Sequence, residues 1–522
     1  MRIIKSSLTS SSIVASTHYT YIVIFCVFTL ITIASRGIWT NYSYWSDELF
    51  SVAASRASWQ EMFSMWVMPD THPPLYSILL KLWVTLFGTS ELATRSLSFL
   101  FASLALVTGA IFAYGLGIGR QIVVTSFLGS SPFFCYYAQE TRSYSLVLFL
   151  STVLTGSVLA LRDRRYWNFL NKRHRRSILL GIYYISALLL SLTHYFALLF
   201  VVLLIVLNMI DRLIDPKRFR SVILLALISL WPIFHLLIWE SPSRLARVSW
   251  IQVKPIVGTV SAFLMGVFPY VIPSPRNAFI LLISGAVTAL LYEIGSFENI
   301  KRLIVNRKDD LSICVNQIRF LAIFFVTFIG LMILIDIFKP MSFPRYYIVL
   351  LPSAAFFFGD IYWIFSNHSH FYRKAVVSIF MLLVIVIQLS TSNAKITEKI
   401  TPHMNYKKLA EFVIKSGVCI DGCLRTVSSG GMDRYVDDSL KIYFKTINFI
   451  PTPLLDGTKF SLKLDKPLVG YHQASNYISD ISKVNPDFQC WQPIQTWRGS
   501  TFIFLNKSSL VNPSEYGLDK CS

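Results

Sequence analysis

Pro74-Leu75-Tyr76-Ser77-Ile78-Leu79-Leu80-Lys81-Leu82-Trp83-Val84-Thr85-Leu86-Phe87-Gly88 is the stretch that decides how this chain sits in a membrane. It is apolar but only about fifteen residues long, and a spanning helix needs about 20. Lys81 stands in its middle, where a lysine costs about 2.5–3.5 kcal/mol on insertion scales. Counted as a span, it would put Asp47 and Glu140 on opposite sides of the membrane. It would also move the basic stretch 162–176 outside. It therefore reads as an interfacial or re-entrant helix inside a long first outer loop, residues 37–93.

The rest of the chain supports a membrane reading. Of 522 residues, 54% are hydrophobic and 15% charged, with mean hydropathy +0.54; soluble chains carry about 25% charged residues. The net charge of +20 comes from basic residues gathered in short loops between apolar runs. These are Arg162-Asp163-Arg164-Arg165, Lys172-Arg173-His174-Arg175-Arg176, residues 212–220 and 301–319, and Arg373-Lys374. That distribution follows the positive-inside rule rather than nucleic-acid binding. With those loops in the cytoplasm, about eleven spans result. They are 18–36, 94–116, 121–138, 143–161, 178–193, 196–212, 220–239, 277–293, 318–338, 346–365 and 375–391. The N-terminus is then inside, and the first run reads as a retained helix rather than a signal peptide. Asp47, Glu48, Glu140, His194, the loop 240–275, Arg345 and everything after 392 face outside.

Residues 396–522 change character, with turn signals such as Asp456-Gly457 and alternating runs such as Ser500-Thr501-Phe502-Ile503-Phe504-Leu505. They read as a small mixed α/β domain, outside the membrane. Cys26, Cys135 and Cys314 suit core packing, whereas Cys419, Cys423, Cys490 and Cys521 lie in this polar part and suit disulfides in an oxidising compartment.

The chemistry lies in the outer loops. Tyr44-Trp45-Ser46-Asp47-Glu48-Leu49-Phe50-Ser51 precedes Asp70-Thr71-His72-Pro73-Pro74. Ionisable groups at the mouth of a lipid-embedded chain are costly and mark a functional site by default. Asp47 and Glu48 repel each other, which favours proton uptake or a shared cation. A carboxylate facing a closed cavity can take a proton from an attacking alcohol or amine. The same pair suits the first turn of a short helix. His72 suits a phosphate or metal contact, or a satisfied turn; Lys81 suits a lipid phosphate, or snorkelling. Tyr136-Tyr137-Ala138-Gln139-Glu140-Thr141-Arg142-Ser143-Tyr144 is a second acidic stretch on the same side, in which Glu140 and Arg142 can also pair with each other. Arg95 and Arg345, each at a helix start, can fork onto phosphate or anchor the interface. His194-Tyr195-Phe196 reads as a hairpin turn. Walker, Rossmann, nucleophile-elbow and HExxH patterns do not occur, so ATP energy does not enter through this chain.

A set of motifs taken in order carries a family resemblance. They are Trp45-Ser46-Asp47-Glu48, Thr71-His72-Pro73-Pro74-Leu75-Tyr76, Phe87-Gly88 to Arg95, Gln139-Glu140-Thr141-Arg142-Ser143-Tyr144, Thr193-His194-Tyr195 and Arg345-Tyr346. Together they resemble the dolichyl-phosphate-mannose protein mannosyltransferase-like group of C-type (GT-C) glycosyltransferases, to which the aminoarabinose transferase of lipid A is related. Lys407-Lys408-Leu409-Ala410-Glu411-Phe412 resembles the start of that group's outer domain, and the likeness covers residues 20–415. Thr141 departs from the Ala of many bacterial members.

The resemblance implies an α-helical polytopic membrane protein with a catalytic domain over 1–395 and an extracytoplasmic domain over 396–522. It implies an enzyme of the bacterial inner membrane. Such an enzyme moves a hexosyl or pentosyl group from a polyprenyl-phosphate sugar to a glycan, lipid or protein acceptor on the outer face, with inversion. Membrane lipid is a partner and nucleic acid is not. By resemblance Asp47 is the general base, Glu48 completes its pair and Glu140 is a second acidic site. His72, Lys81, Arg95, Arg142, Arg345 and Tyr346 lie near the donor phosphate. A divalent metal at Asp47 and Glu140 is left open, and no other cofactor is expected. The competing readings are a polyprenyl-linked sugar transporter or flippase, and a non-catalytic scaffold.

Overall fold

The computed structural model describes residues 10–40, 42–114, 117–163, 172–211, 219–238, 251, 255–267, 310–368, 371–400, 407, 442–443, 423–427, 449–451, 468–471, 492–497 and 501–505. Its helices are α1 (Ser10–Ser35), α2 (Ser46–Arg56), α3 (Leu75–Phe87), α4 (Glu91–Ala113), α5 (Ile118–Ser130), α6 (Pro132–Tyr137), α7 (Tyr144–Arg162), α8 (Lys172–Ser191), α9 (Tyr195–Ile210), α10 (Phe219–Pro232), α11 (Val257–Val267), α12 (Asp310–Phe338), α13 (Leu351–His368) and α14 (Phe371–Ile400).

The decisive run is a helix of 13 residues, α3. Pro74 precedes its first turn, where a missing N–H costs nothing. Gly88 ends it at φ 83°, a backbone region that glycine enters without strain. Among the described residues, six helical stretches are long and apolar enough to cross a membrane: Tyr21–Thr40, Glu91–Ala113, Tyr144–Arg162, Ile313–Phe338, Pro344–Ser366 and Lys374–Ile400. Other expected spans fall on shorter or interrupted helices. The run 121–138 breaks between α5 and α6 at Ser131-Pro132, and α10 gives way after Pro232 to a π-helical turn, Ile233–Ile238. The expected span 277–293 lies outside the described residues. The stretch 240–275 contains a helix, α11. It packs on the 3₁₀ turn Pro344–Leu350, with Gly266 so close to Tyr347 that a Cβ would sit 2.5 Å from its side chain.

Polarity is arranged inside out. Large apolar side chains face outward along α1 (Phe25, Phe28), α12 (Val326, Ile337) and α14 (Val376, Leu382), while the interior holds charges. Arg120 of α5 and Asp360 of α13, for example, form a fully buried pair at 2.7 Å. An exposed apolar surface of this extent faces lipid, and the chain is an integral membrane protein. Within the bundle α4 packs on α7, α7 on α8, α5 on α1 and α13, and α14 on α6.

Five short strands occur in the C-terminal part: β1 (Cys423–Val427), β2 (Phe449–Pro451), β3 (Leu468–Tyr471), β4 (Gln492–Trp497) and β5 (Thr501–Leu505). Their order is β2-β1-β3-β5-β4, with β1 parallel to β2 and β3, and β5 antiparallel to β3 and β4. Cys26, Cys135 and Cys314 take part in no disulfide among the described residues, and the last two are buried. Cys419, Cys490, Cys521, the side chain of Cys423 and residues 408–412 lie outside the described residues.

Candidate active site

The two neighbouring carboxylates point to different places. Both sit in the first turn of α2, next to its positive end. Glu48 turns inward, where its Oε2 accepts the Trp45 N–H at 3.3 Å and so caps the helix. Arg95 of α4 donates Nε and Nη2 to Glu48 Oε1 and Oε2, each at 2.8 Å, and both side chains are fully buried. Thr141 adds its N–H to Oε1 at 2.9 Å. The other contacts of Arg95 go to the carbonyls of Tyr42 at 2.9 Å and Ser43 at 3.2 Å, with the Tyr42 ring centroid 3.6 Å from the guanidinium. Burial pushes the Glu48 carboxyl up, but Arg95, with Lys399 and the Thr141 amide, together hold the group below the usual carboxylate range. Two sequence expectations change here. Glu48 shares no cation with Asp47, and all three guanidinium nitrogens of Arg95 are bonded within the protein rather than turned toward a phosphate.

Asp47 turns outward. Its side chain keeps 31% of its surface exposed and faces Arg345, Nη1 to Oδ2 at 3.5 Å. Its carbonyl accepts the Ser51 hydroxyl at 3.1 Å and Arg142 Nη1 at 3.4 Å. Arg142 also reaches Ser51 Oγ at 3.2 Å. Arg345 is set by Asp336 at the end of α12. That carboxylate accepts the N–H groups of Met341 at 2.8 Å and Ser342 at 3.0 Å, and the Thr259 hydroxyl of α11 at 2.5 Å. The turn it holds leads into Pro344-Arg345.

Glu140 does not pair with Arg142, which corrects one reading of that stretch. Its Oε2 accepts from Lys399 Nζ at 2.7 Å, with both side chains buried. Lys399 also donates to the Tyr136 carbonyl at 2.9 Å and lies 3.7 Å over the Tyr136 ring. Burial pushes the Glu140 carboxyl up, Lys399 offsets part of that, and the negative Glu48 adds to it. Sequence reasoning missed Lys399 because the last span was expected to end near 391; α14 runs on to Ile400. The residues do not fit a resident divalent cation. Asp47 and Glu140 each already face a protein cation, and no group of three His, Cys, Asp or Glu side chains converges among the described residues.

His72 Nδ1 lies 3.3 Å from Asp70 Oδ1. Burial pushes Asp70 up, but His72 beside it brings the carboxyl down to about 2. The His72 ring meets His194 edge-on with centroids 4.9 Å apart, and His194 in turn lies 5.2 Å from Tyr346 and 5.9 Å from Tyr144. The loops of Asp47, Glu140, His194 and Arg345 thus meet on one side of the bundle, as the charge pattern predicts. Lys81 does not point there. Its Nζ donates to the carbonyls of Ala57 and of Ser55 (3.3 Å), at the carboxyl end of α2.

No protein-family model matches the sequence, and no curated protein does. The fold does match that of solved membrane-protein structures. The solved structures that share it include ArnT from Cupriavidus metallidurans bound to undecaprenyl phosphate, with a TM-score of 0.52 over 94% of this chain and 99% of that one, at 12% identity. The apo form of the same ArnT gives a TM-score of 0.52 over the same shares, at 11% identity.

Proposed function

We propose that the protein is a membrane glycosyltransferase that moves a sugar from a polyprenyl-phosphate donor to an acceptor on the extracytoplasmic face, with inversion. One observation carries this reading: Asp47 is partly exposed and faces Arg345 at 3.5 Å, while its neighbour Glu48 is sealed against Arg95. The ArnT neighbour, solved with undecaprenyl phosphate, supports the donor class.

Asp47 is the general base. It takes the proton from the acceptor's hydroxyl or amine, and the acceptor attacks the anomeric carbon. The bond from that carbon to the phosphate oxygen breaks, and the electron pair leaves on the lipid phosphate. Arg345 and Arg142 stabilise the charge that develops there. The Asp47–Arg345 contact is long for a charge-assisted bond, which runs about 2.7–2.9 Å, so an arriving phosphate can draw Arg345 toward itself and leave Asp47 to act as base. Tyr346 and His72 frame the same mouth. Glu48 and Glu140 hold the two acidic loops rather than touch substrate, and Arg95 and Lys399 hold them in turn.

In this reading about eleven spans cross the bacterial inner membrane, the site faces outward, α3 lies at the interface and residues 396–522 form an outer domain.

The test uses purified protein in lipid, an undecaprenyl-phosphate hexose or pentose, and a cell-envelope extract as acceptor, read by mass spectrometry. Wild type should release undecaprenyl phosphate and add the sugar mass to an acceptor. Asp47→Asn should be slower by at least about 10²-fold. Donor recovered intact on the opposite leaflet, with none consumed, would instead indicate a transporter.

A further inference from the structure

We infer that the sugar on the donor is rich in hydrogen-bond-accepting oxygens and carries no free amino group, and that His194 Nε2–H and the Tyr144 hydroxyl read it. This rests on the donor reading above. His194 begins α9, where its Nδ1 accepts the Phe196 N–H at 3.2 Å. A ring nitrogen that accepts carries no proton, so Nε2 holds it and is a donor. That donor is buried with no hydrogen-bond partner among the described residues. The same is true of the Tyr144 hydroxyl and Arg142 Nε. Buried polar groups are nearly always bonded, so a cluster of unbonded donors at one mouth calls for a ligand that accepts.

These groups form one neighbourhood. Tyr144 and His194 are 5.9 Å apart by ring centroid, the Arg345 guanidinium lies 5.8 Å from the Tyr144 ring, and Arg345 and Arg142 both contact Asp47. Burial and the nearby cations hold His194 well below the usual histidine range, which keeps Nε2–H a neutral donor. Sugar hydroxyls and ring oxygens suit such a set. A protonated amine does not, because it has donors and no acceptor. It would also meet Arg142 and Arg345. Among the described residues, three carboxylates of this region already face protein cations, Asp47 on Arg345, Glu48 on Arg95 and Glu140 on Lys399, and Asp70 is in contact with His72. A site built to donate to an oxygen rejects an analogue that cannot accept.

The experiment is equilibrium binding to the full-length protein in lipid of three probes: bare undecaprenyl phosphate, its neutral hexose ester, and the same ester with one hydroxyl replaced by a free amine. Wild type should bind the neutral ester about tenfold tighter than the bare lipid, a gain of about one to two hydrogen bonds. The amino ester should gain nothing. His194→Ala and Tyr144→Phe should each remove the gain for the neutral ester and leave bare-lipid affinity within about twofold. Should His194→Ala not fold, Tyr144→Phe, which deletes a single oxygen, decides alone. An amino ester bound as tightly as the neutral one, or a Tyr144→Phe variant that keeps the whole gain, would overturn the inference. Failure of wild type to bind even the bare lipid would sink the donor reading itself.

Discussion

One residue apart on α2, two carboxylates inhabit different surroundings. Glu48 is fully buried, gripped by two 2.8 Å bonds from Arg95 and a third from the Thr141 amide. Asp47 keeps about a third of its surface and a single long contact to Arg345. Beneath them Glu140 repeats the first pattern with Lys399. The region divides into a sealed floor that joins α2, α4, α14 and the Glu140 loop, and an open mouth made of Asp47, Arg142 and Arg345. Charges in the floor are paired with one another, and breaking such a buried pair is costly. Charges at the mouth are held loosely enough to change partners. The difference teaches that neighbouring acidic residues in sequence need not share a task.

The comparison breaks first at the floor. Arg95→Ala strands Glu48, and removing one partner of a buried pair costs about 3–5 kcal/mol. We expect the largest fall in thermal midpoint here, measured by intrinsic fluorescence in lipid; an unmoved midpoint would mean Glu48 finds another cation. Lys399→Met should cost somewhat less, about 3 kcal/mol, because Glu140 can take up a proton. Adding Glu140→Gln to Lys399→Met should recover most of the loss, which a double-mutant cycle reads as coupling.

The same carboxyl predicts a pH slope. Glu140 binds its proton more tightly folded than unfolded, since its pKa is raised. The folded state should therefore lose stability as pH climbs from the ordinary carboxylate range through that raised value. Midpoints measured across that window should flatten in Glu140→Gln, and an unchanged slope would assign the effect elsewhere.

At the mouth, Arg345→Lys should leave the midpoint nearly unchanged but weaken binding of undecaprenyl phosphate, and Arg345→Ala more so, by about 1.5–3 kcal/mol for a charged hydrogen bond. Equal affinity in wild type and the alanine variant would make Arg345 an interfacial anchor. The smallest effect lies far from both regions. Arg162 and Asp211 pair at 2.6 Å, with 45% of the aspartate side chain exposed. Asp211→Ala should change stability by no more than about 1 kcal/mol.

Much of this arrangement is readable in the chain. Loop charge put Asp47, Glu140, His194 and Arg345 on one side, and their loops do converge. Pro74 and Gly88 marked both ends of α3. What the chain hides is direction and reach. Nothing local tells which of two adjacent acids turns inward, because Arg95 lies 47 residues from Glu48. Lys399 escaped notice because the last span was expected over 375–391, short of it. In the bundle the helix continues: Thr391 donates to Ile387 O at 2.9 Å and Ser392 to Ser130 O at 2.7 Å, which carries α14 onward to Glu140. Asp336 drew no notice in the sequence, and its role as the cap of the Arg345 turn appears only when Met341 and Ser342 fold back onto it.

The central claim is that the mouth does chemistry and the floor holds it in place. It is tested most directly by measuring sugar transfer and thermal midpoint together on Asp47→Asn and Glu48→Gln. The account predicts that Asp47→Asn loses at least about 10²-fold in transfer rate while keeping the wild-type midpoint and donor affinity. Glu48→Gln should lower the midpoint, and its folded fraction should still turn over. Near-native transfer by Asp47→Asn, or a Glu48→Gln protein that is fully stable yet inactive, would contradict it.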